Sequence, residues 1–125
     1  MSKFTPWVAA GALVASMAVC APAAAPTEAF SGGADLKLWC DNMDRDDIYW
    51  GLCVGSITAA HDMIMSYQNF EDVHEMVCID PDTSRGDIVF AVREHMNEHP
   101  EQLDYSLGDL VLTALINKFP CIDAL

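Results

Sequence analysis

The chain has 125 residues and a formal net charge of −13, since it carries 19 aspartates and glutamates but only six lysines and arginines. A surface this negative repels nucleic acid and anionic lipid, and it steers cationic partners towards itself. The composition therefore argues against nucleic-acid binding and against membrane insertion.

The first 25 residues have the three parts of a cleavable secretory signal. Lys3 gives a positive start, the run 7–19 is almost wholly apolar, and the alanine-rich stretch 21–25 offers small residues for cleavage. The apolar run is shorter than the roughly 20 residues that a membrane-spanning helix needs. We therefore predict cleavage after residue 25, export to the periplasm, and a single mature domain over residues 26–125. An uncleaved anchor helix and a lipoprotein are the alternatives.

Four helices are predicted in the mature chain, and no stretch sustains the alternation of a β-strand. The first helix covers roughly residues 33–40, and the second runs from about 46 to 67. A third helix follows a sequence that resembles a capping box, Ser84 to Asp87, and ends at Pro100. The fourth keeps helical phase from Leu103 to Phe119. We predict an all-α, disulfide-stapled bundle of about four helices.

The second helix carries a pattern that predicts its buried face, and small residues spaced by four that predict close approach of another helix. The predicted buried stripe is Ile48, Leu52, Ser56, Ala59 and Met63, and the small residues are Gly51, Gly55 and Ala59.

Four cysteines remain after cleavage, namely Cys40, Cys53, Cys78 and Cys121. An even number in an oxidising compartment predicts two disulfides rather than free thiols. If neighbouring helices are antiparallel, Cys78 before the third helix meets Cys121 after the fourth, and Cys40 meets Cys53 across an acidic loop. This favours the pairs 40–53 and 78–121, and the rival pairing is 40–121 with 53–78.

Two motifs resemble catalytic sites, and neither is complete. His95-Met96-Asn97-Glu98-His99 fits the inverted zincin pattern but lacks a third ligand, and its histidines lie where a helix dipole favours cations. Gly51-Leu52-Cys53-Val54-Gly55 resembles a nucleophile elbow, which requires a large α/β sheet. We therefore predict a binding protein with no catalytic residues, metal or cofactor. A zinc hydrolase that uses His95 and His99 is an alternative.

The order of several short motifs resembles the Rap/Tai immunity proteins over most of the mature chain, from about Leu38 to Cys121. The residues that carry the resemblance are Cys53-x-Gly55-x-Ile57, Asp62, Cys78-Ile79, His99-Pro100, Ala114-Leu115 and Phe119-Pro120-Cys121. Members of that family are small, exported, helical proteins that protect bacteria from amidase effectors of type VI secretion. The resemblance implies a non-catalytic inhibitor that occludes the groove of a secreted peptidoglycan amidase, and it allows a homodimer. A small acidic periplasmic chaperone without a toxin partner is the alternative function.

Two acidic segments are candidates for the partner-binding surface. The first is the loop 41–47, in which Met43 is surrounded by Asp41, Asp44, Asp46 and Asp47. It offers a negative lid to a basic active-site rim, unless it only caps the next helix as a solvated loop. The second is the segment from Asn69 to Asp82, whose candidate residues are Glu71, Asp72 and Glu75.

Overall fold

The computed structural model of the chain describes residues 31–70 and 74–122, so the predicted signal peptide lies outside the described residues. These residues form four α-helices and a short 3₁₀ helix, with no β-sheet among them. The α-helices are α1 (Gly33–Asp41), α2 (Asp47–Gln68), α3 (Arg85–Glu98) and α4 (Leu107–Lys118), and the 3₁₀ helix Pro100–Asp104 connects α3 to α4. The predicted all-α class and the predicted number of helices are confirmed.

Each of the four α-helices packs against the other three, around one apolar core. Leu36 of α1, Ile57 of α2, Val92 of α3 and Leu110 of α4 are fully buried at its centre. Fully burying a side chain of this kind stabilises the fold by about 1.5–3 kcal/mol. The core is therefore shared among all four helices.

The buried face of α2 differs from the predicted one. Cys53, Val54 and Ile57 are buried, whereas Ile48 and Met63 are 69% and 71% exposed. The prediction of the buried stripe is wrong because α2 is apolar on nearly every face, so its periodicity fits more than one stripe. The disulfide from Cys53 to α1 turns the opposite side of the helix inwards.

The predicted close approach at the small residues of α2 is also wrong within the described chain. Gly51 and Gly55 are exposed, and a Cβ atom added to either meets nothing within 4 Å. The glycine that does permit close packing is Gly33 in the first turn of α1. A Cβ atom there would lie 2.9 Å from Leu110 Cδ2 and 3.0 Å from the backbone of Leu103.

The fourth helix begins later than predicted. Leu103 belongs to the 3₁₀ helix, and α4 starts at Leu107 after Ser106, whose hydroxyl accepts a hydrogen bond from the backbone N–H of Asp109. A serine in this role ends one helical segment and starts another, although the apolar spacing continues across it. By contrast, the capping box before α3 is confirmed.

Both predicted disulfides are present, and together they fasten the ends of the helices. Cys40 is bonded to Cys53, and Cys78 is bonded to Cys121. The second pair is extended by a backbone hydrogen bond of 2.9 Å from the Cys78 N–H to the Phe119 carbonyl. The preferred pairing of the sequence analysis is therefore confirmed, and the rival pairing is excluded.

Candidate partner-binding surfaces

A disulfide bond joins the two helices that flank the acidic loop between α1 and α2. The Cys40–Cys53 disulfide joins the last turn of α1 to the second turn of α2, with 4.9 Å between the two Cα atoms. Inside this bracket, the Asn42 side chain donates to the Leu38 carbonyl at 2.8 Å, and the Arg45 N–H donates to the Asn42 carbonyl at 3.0 Å. The loop is therefore organised before any partner binds.

The four carboxylates of this loop have different environments. Asp41 forms an ion pair of 2.9 Å with Lys37, and Asp46 caps α2 by accepting the Ile48 N–H at 2.8 Å. Asp44 and Asp47 are exposed and have no ion pair with the described residues. These two are consequently the carboxylates that are free to meet a cationic partner.

Met43 lies on the inner side of the loop. Its side chain is partly buried and packs against the core, and it also lines a groove between α2 and α3. The structure thus separates Met43 from the exposed carboxylates with which it was grouped.

The second acidic segment is anchored by a buried glutamine that the sequence analysis did not single out. The Gln68 amide donates to the Val77 carbonyl at 2.9 Å and accepts the N–H groups of Met76 and Val77 at 2.8 and 2.7 Å. Glu75 is exposed, while Glu71 and Asp72 lie outside the described residues. A glutamine in a polar stretch gives no signal that it is buried, so only the structure could identify this role.

The exposed side of α2 continues into an apolar groove of about 460 Å³ between α2 and α4. Its lining includes Met63, Ile64 and Tyr67 of α2, Met76 and Leu112. Met63 was predicted to be buried in the core, so this surface could not be predicted from the sequence pattern.

A third surface combines positive charge with exposed aromatic rings. Arg85 and Arg93 of α3 lie beside Trp50 of α2 and Phe90 of α3, around a groove of about 350 Å³. We call this surface the arginine groove. The two arginines are eight residues apart on one helical face, but only the tertiary structure brings Trp50 to them.

The two histidines of the zincin-like motif are each engaged with the 3₁₀ helix. The buried His95 ring lies 2.7 Å from Gln102 Oε1, and the His99 ring lies 3.0 Å from Glu101 Oε1. The two rings pack against each other at an interplanar angle of 32°, with their centroids 4.4 Å apart. This arrangement is that of a satisfied structural histidine pair. Cys53 of the second motif is a half-cystine and cannot act as a thiolate nucleophile.

The sequence from residue 32 to residue 121 matches the family model of Rap1a immunity proteins. The match begins at the residue before α1 and ends at the last cysteine, so it includes all four helices and both disulfides. The chain belongs to the Rap1a immunity protein family. Neither the comparison with curated proteins nor the comparison with solved structures found a match.

Membership in the Rap1a family implies an immunity protein, which acts by binding a protein partner, its effector. Proteins of this kind are generally not enzymes. The two disulfides are typical of exported proteins. None of the helices within 31–70 and 74–122 combines the length and apolar character needed to cross a bilayer.

Proposed function

We propose that this chain is an exported periplasmic immunity protein that occludes the active-site groove of a peptidoglycan amidase effector of a type VI secretion system. Family membership supports the immunity role, and the amino-terminal sequence and the disulfides support export. In this proposal the protein acts by binding alone, with no catalytic residue of its own.

The observation that carries the proposal is the disulfide-braced acidic loop. A loop that is already ordered loses little conformational entropy on binding, and ordering costs roughly 0.5–1.5 kcal/mol for each immobilised side chain. Asp44 and Asp47 project negative charge from it, which would speed association with a basic rim around an amidase groove. The segment 69–82 is the alternative contact.

Protection of living cells tests the proposed function. An amidase effector encoded beside this gene is exported to the periplasm of a sensitive host, with either the full chain or a chain that lacks residues 2–25. We expect survival only with the full chain, because only exported protein meets the effector. The purified protein should also inhibit peptidoglycan cleavage at one copy per enzyme. Absence of inhibition of any neighbouring amidase would refute the proposal.

Charge removal at the loop tests the proposed contact. Asp44→Asn combined with Asp47→Asn removes two charges and leaves the capping Asp46 intact. Glu75→Gln combined with Asp82→Asn removes the same charge from the alternative segment and is the matched control. We expect slower, less salt-dependent association for the first pair only. Because Asp47 lies in the first turn of α2, that pair should also lose about 0.3–1 kcal/mol of stability, which leaves the protein folded. The reverse result would assign the contact to residues 69–82.

We further propose a homodimer that forms through the exposed side of α2. Ile48 and Met63 are mostly exposed there, and Gly51 and Gly55 leave room for another helix. Because each copy carries a large net negative charge, −13 for the full chain, added salt should favour the dimer in sedimentation experiments. Met63→Glu should leave a monomer, whereas Leu38→Glu, at an exposed position of α1, should not.

The chaperone alternative is favoured by one observation, the apolar groove that Met63 and Met76 line. Flexible methionine side chains adapt to unrelated apolar partners. Suppression of client aggregation at low pH that is lost in Met76→Glu would support this function. Strict one-to-one binding of a single enzyme would argue against it.

A further inference from the structure

The arginine groove holds two of the three lysine and arginine side chains that form no ion pair among the described residues, the third being Arg45 of the acidic loop. Lys37 pairs with Asp41 at 2.9 Å, and Lys118 pairs with Glu94 at 3.5 Å. Neither Arg85 nor Arg93 forms an ion pair with any residue of 31–70 or 74–122. Arg85 also lines a second pocket that contains Asp62, but it forms no ion pair there, so the guanidinium groups of Arg85 and Arg93 are available to an external anion.

The position of Arg85 is also unfavourable for its own helix. It is the first residue of α3, where the helix dipole is positive and favours acidic residues. A residue that breaks a local stability rule without a compensating contact is expected at functional sites. Arg93 lies two turns further along the same face and is partly buried, so its guanidinium is held close to the groove.

The floor between the two arginines is apolar and aromatic. Trp50 is 51% exposed and Phe90 is 63% exposed, and the rest of the lining is Met43, Val54, Gly86 and Val89. Tryptophan and arginine are among the residues most enriched where binding energy is concentrated in protein interfaces. A guanidinium binds a carboxylate through two parallel hydrogen bonds, which an aromatic neighbour shields from water.

We propose that the arginine groove binds a segment of a protein partner that presents a carboxylate beside an apolar side chain. The two guanidinium groups select the negative charge, and the rings of Trp50 and Phe90 select an apolar neighbour over an inorganic anion. Nucleic acid is disfavoured by the net charge of −13. The arginine groove is positively charged, whereas the acidic loop is negatively charged. The proposal for the groove therefore does not depend on whether the partner of the acidic loop is an amidase.

Selection from a random peptide library displayed on phage tests the groove without knowledge of the partner. The bait is the protein expressed from the full coding sequence, with both disulfides formed. We expect enriched peptides to contain aspartate or glutamate next to leucine, phenylalanine or tryptophan. A synthetic copy of the most enriched peptide is then titrated by calorimetry, and the change in tryptophan fluorescence of a Trp39→Phe background, in which Trp50 remains, is a second readout.

Two double variants with the same net charge distinguish contacts made within the arginine groove from the effect of the protein's overall charge. Arg85→Gln with Arg93→Gln should weaken peptide binding about tenfold or more, because charge-assisted contacts are lost. Lys37→Gln with Lys118→Gln should change it less than about twofold. Removing Arg85 should leave the melting temperature unchanged or raise it, because the variant loses an unfavourable interaction between a positive side chain and the positive end of the α3 dipole. If the arginine pair fails to fold, Phe90→Ser replaces it and should weaken binding by a similar factor.

Several results would overturn the proposal. Enriched peptides without acidic residues, no enrichment at all, or equal loss in the two double variants would each exclude a charge-selective groove. A change in the sedimentation of the free protein that is specific to the arginine variant would assign the groove to a second copy instead. If the protein failed to inhibit an amidase, this proposal would still stand, because it is tested by peptide binding and not by inhibition.

Discussion

Replacing Gln68 by methionine removes three hydrogen bonds and keeps nearly the same side-chain volume. The amide of Gln68 is the link between the end of α2 and the backbone of Met76 and Val77. Val77 is 1% exposed, so its freed N–H and carbonyl groups cannot reach water while the fold is intact. The variant therefore tests whether this segment is held by polar contacts or by packing.

The expected loss of stability in Gln68→Met follows from the number of hydrogen bonds that it removes. At about 1 kcal/mol of net stability each, the three hydrogen bonds contribute roughly 3 kcal/mol, and groups left buried without partners add to the loss. For a domain of this size, 1 kcal/mol shifts the melting temperature by about 4–8 °C, so we expect a fall of about 12–24 °C.

Urea unfolding and amide hydrogen exchange measure the effect. We expect a lower free energy of unfolding and faster exchange at Met76 and Val77 in Gln68→Met, because both N–H groups lose their acceptor. Ser66→Ala, at an exposed position of the same helix turn, is the control and should change stability by less than about 0.5 kcal/mol. If Gln68→Met were as stable as the control, the hydrogen bonds would not hold the segment.

Three further predictions concern the glycines, the helix caps and the disulfides. Gly33→Ala should destabilise the fold by about 1–3 kcal/mol, because the added Cβ atom would collide with the backbone of Leu103, which cannot move aside. Gly108→Ala is the control: its Cβ atom would meet no atom within 4 Å, so thermal unfolding should show a neutral or stabilising effect. The hydrogen bonds that Ser84 donates to Asp87 lower the pKa of the Asp87 carboxyl below its usual 3.8. The charged carboxylate therefore stabilises the fold above pH 3.8, and this stabilisation is lost as the pH falls through the pKa of the folded protein. Melting temperatures measured below pH 4 should consequently fall less steeply in Asp87→Asn. Thiol titration of the denatured protein should find no free thiol among Cys40, Cys53, Cys78 and Cys121, and removal of Cys78–Cys121, whose partners are 43 residues apart, should cost about 4 kcal/mol in urea unfolding.

Local rules were sufficient for the helices that carry clear start and stop signals. Ser84 and Asp87 specify the start of α3, and Pro100 specifies its end, since the capping bonds and the missing proline N–H act within a few residues. The antiparallel order of these helices favoured the disulfide pairing that the structure has, but only the structure excluded the rival pairing. The fold class was therefore predictable from the sequence, whereas the choice between the disulfide pairings was not.

The orientation of α2 was not predictable from its own residues. A helix that is apolar on most faces gains similar burial from several rotations about its axis, so the partner helices and the Cys40–Cys53 bond decide between them. That choice exposes Ile48 and Met63 and creates the apolar groove beside α4.

The net charge could be read from the sequence because it depends on composition alone, and the prediction of export rests on one contiguous segment. The environment of each charge could not be read from the sequence, because it depends on which side chains the fold brings within a few ångströms. Lys37 neutralises Asp41 and the cap uses Asp46, which leaves Asp44 and Asp47 of the acidic loop. The arginine groove likewise exists only because α2 places Trp50 against α3, a contact between residues more than 30 positions apart in the sequence.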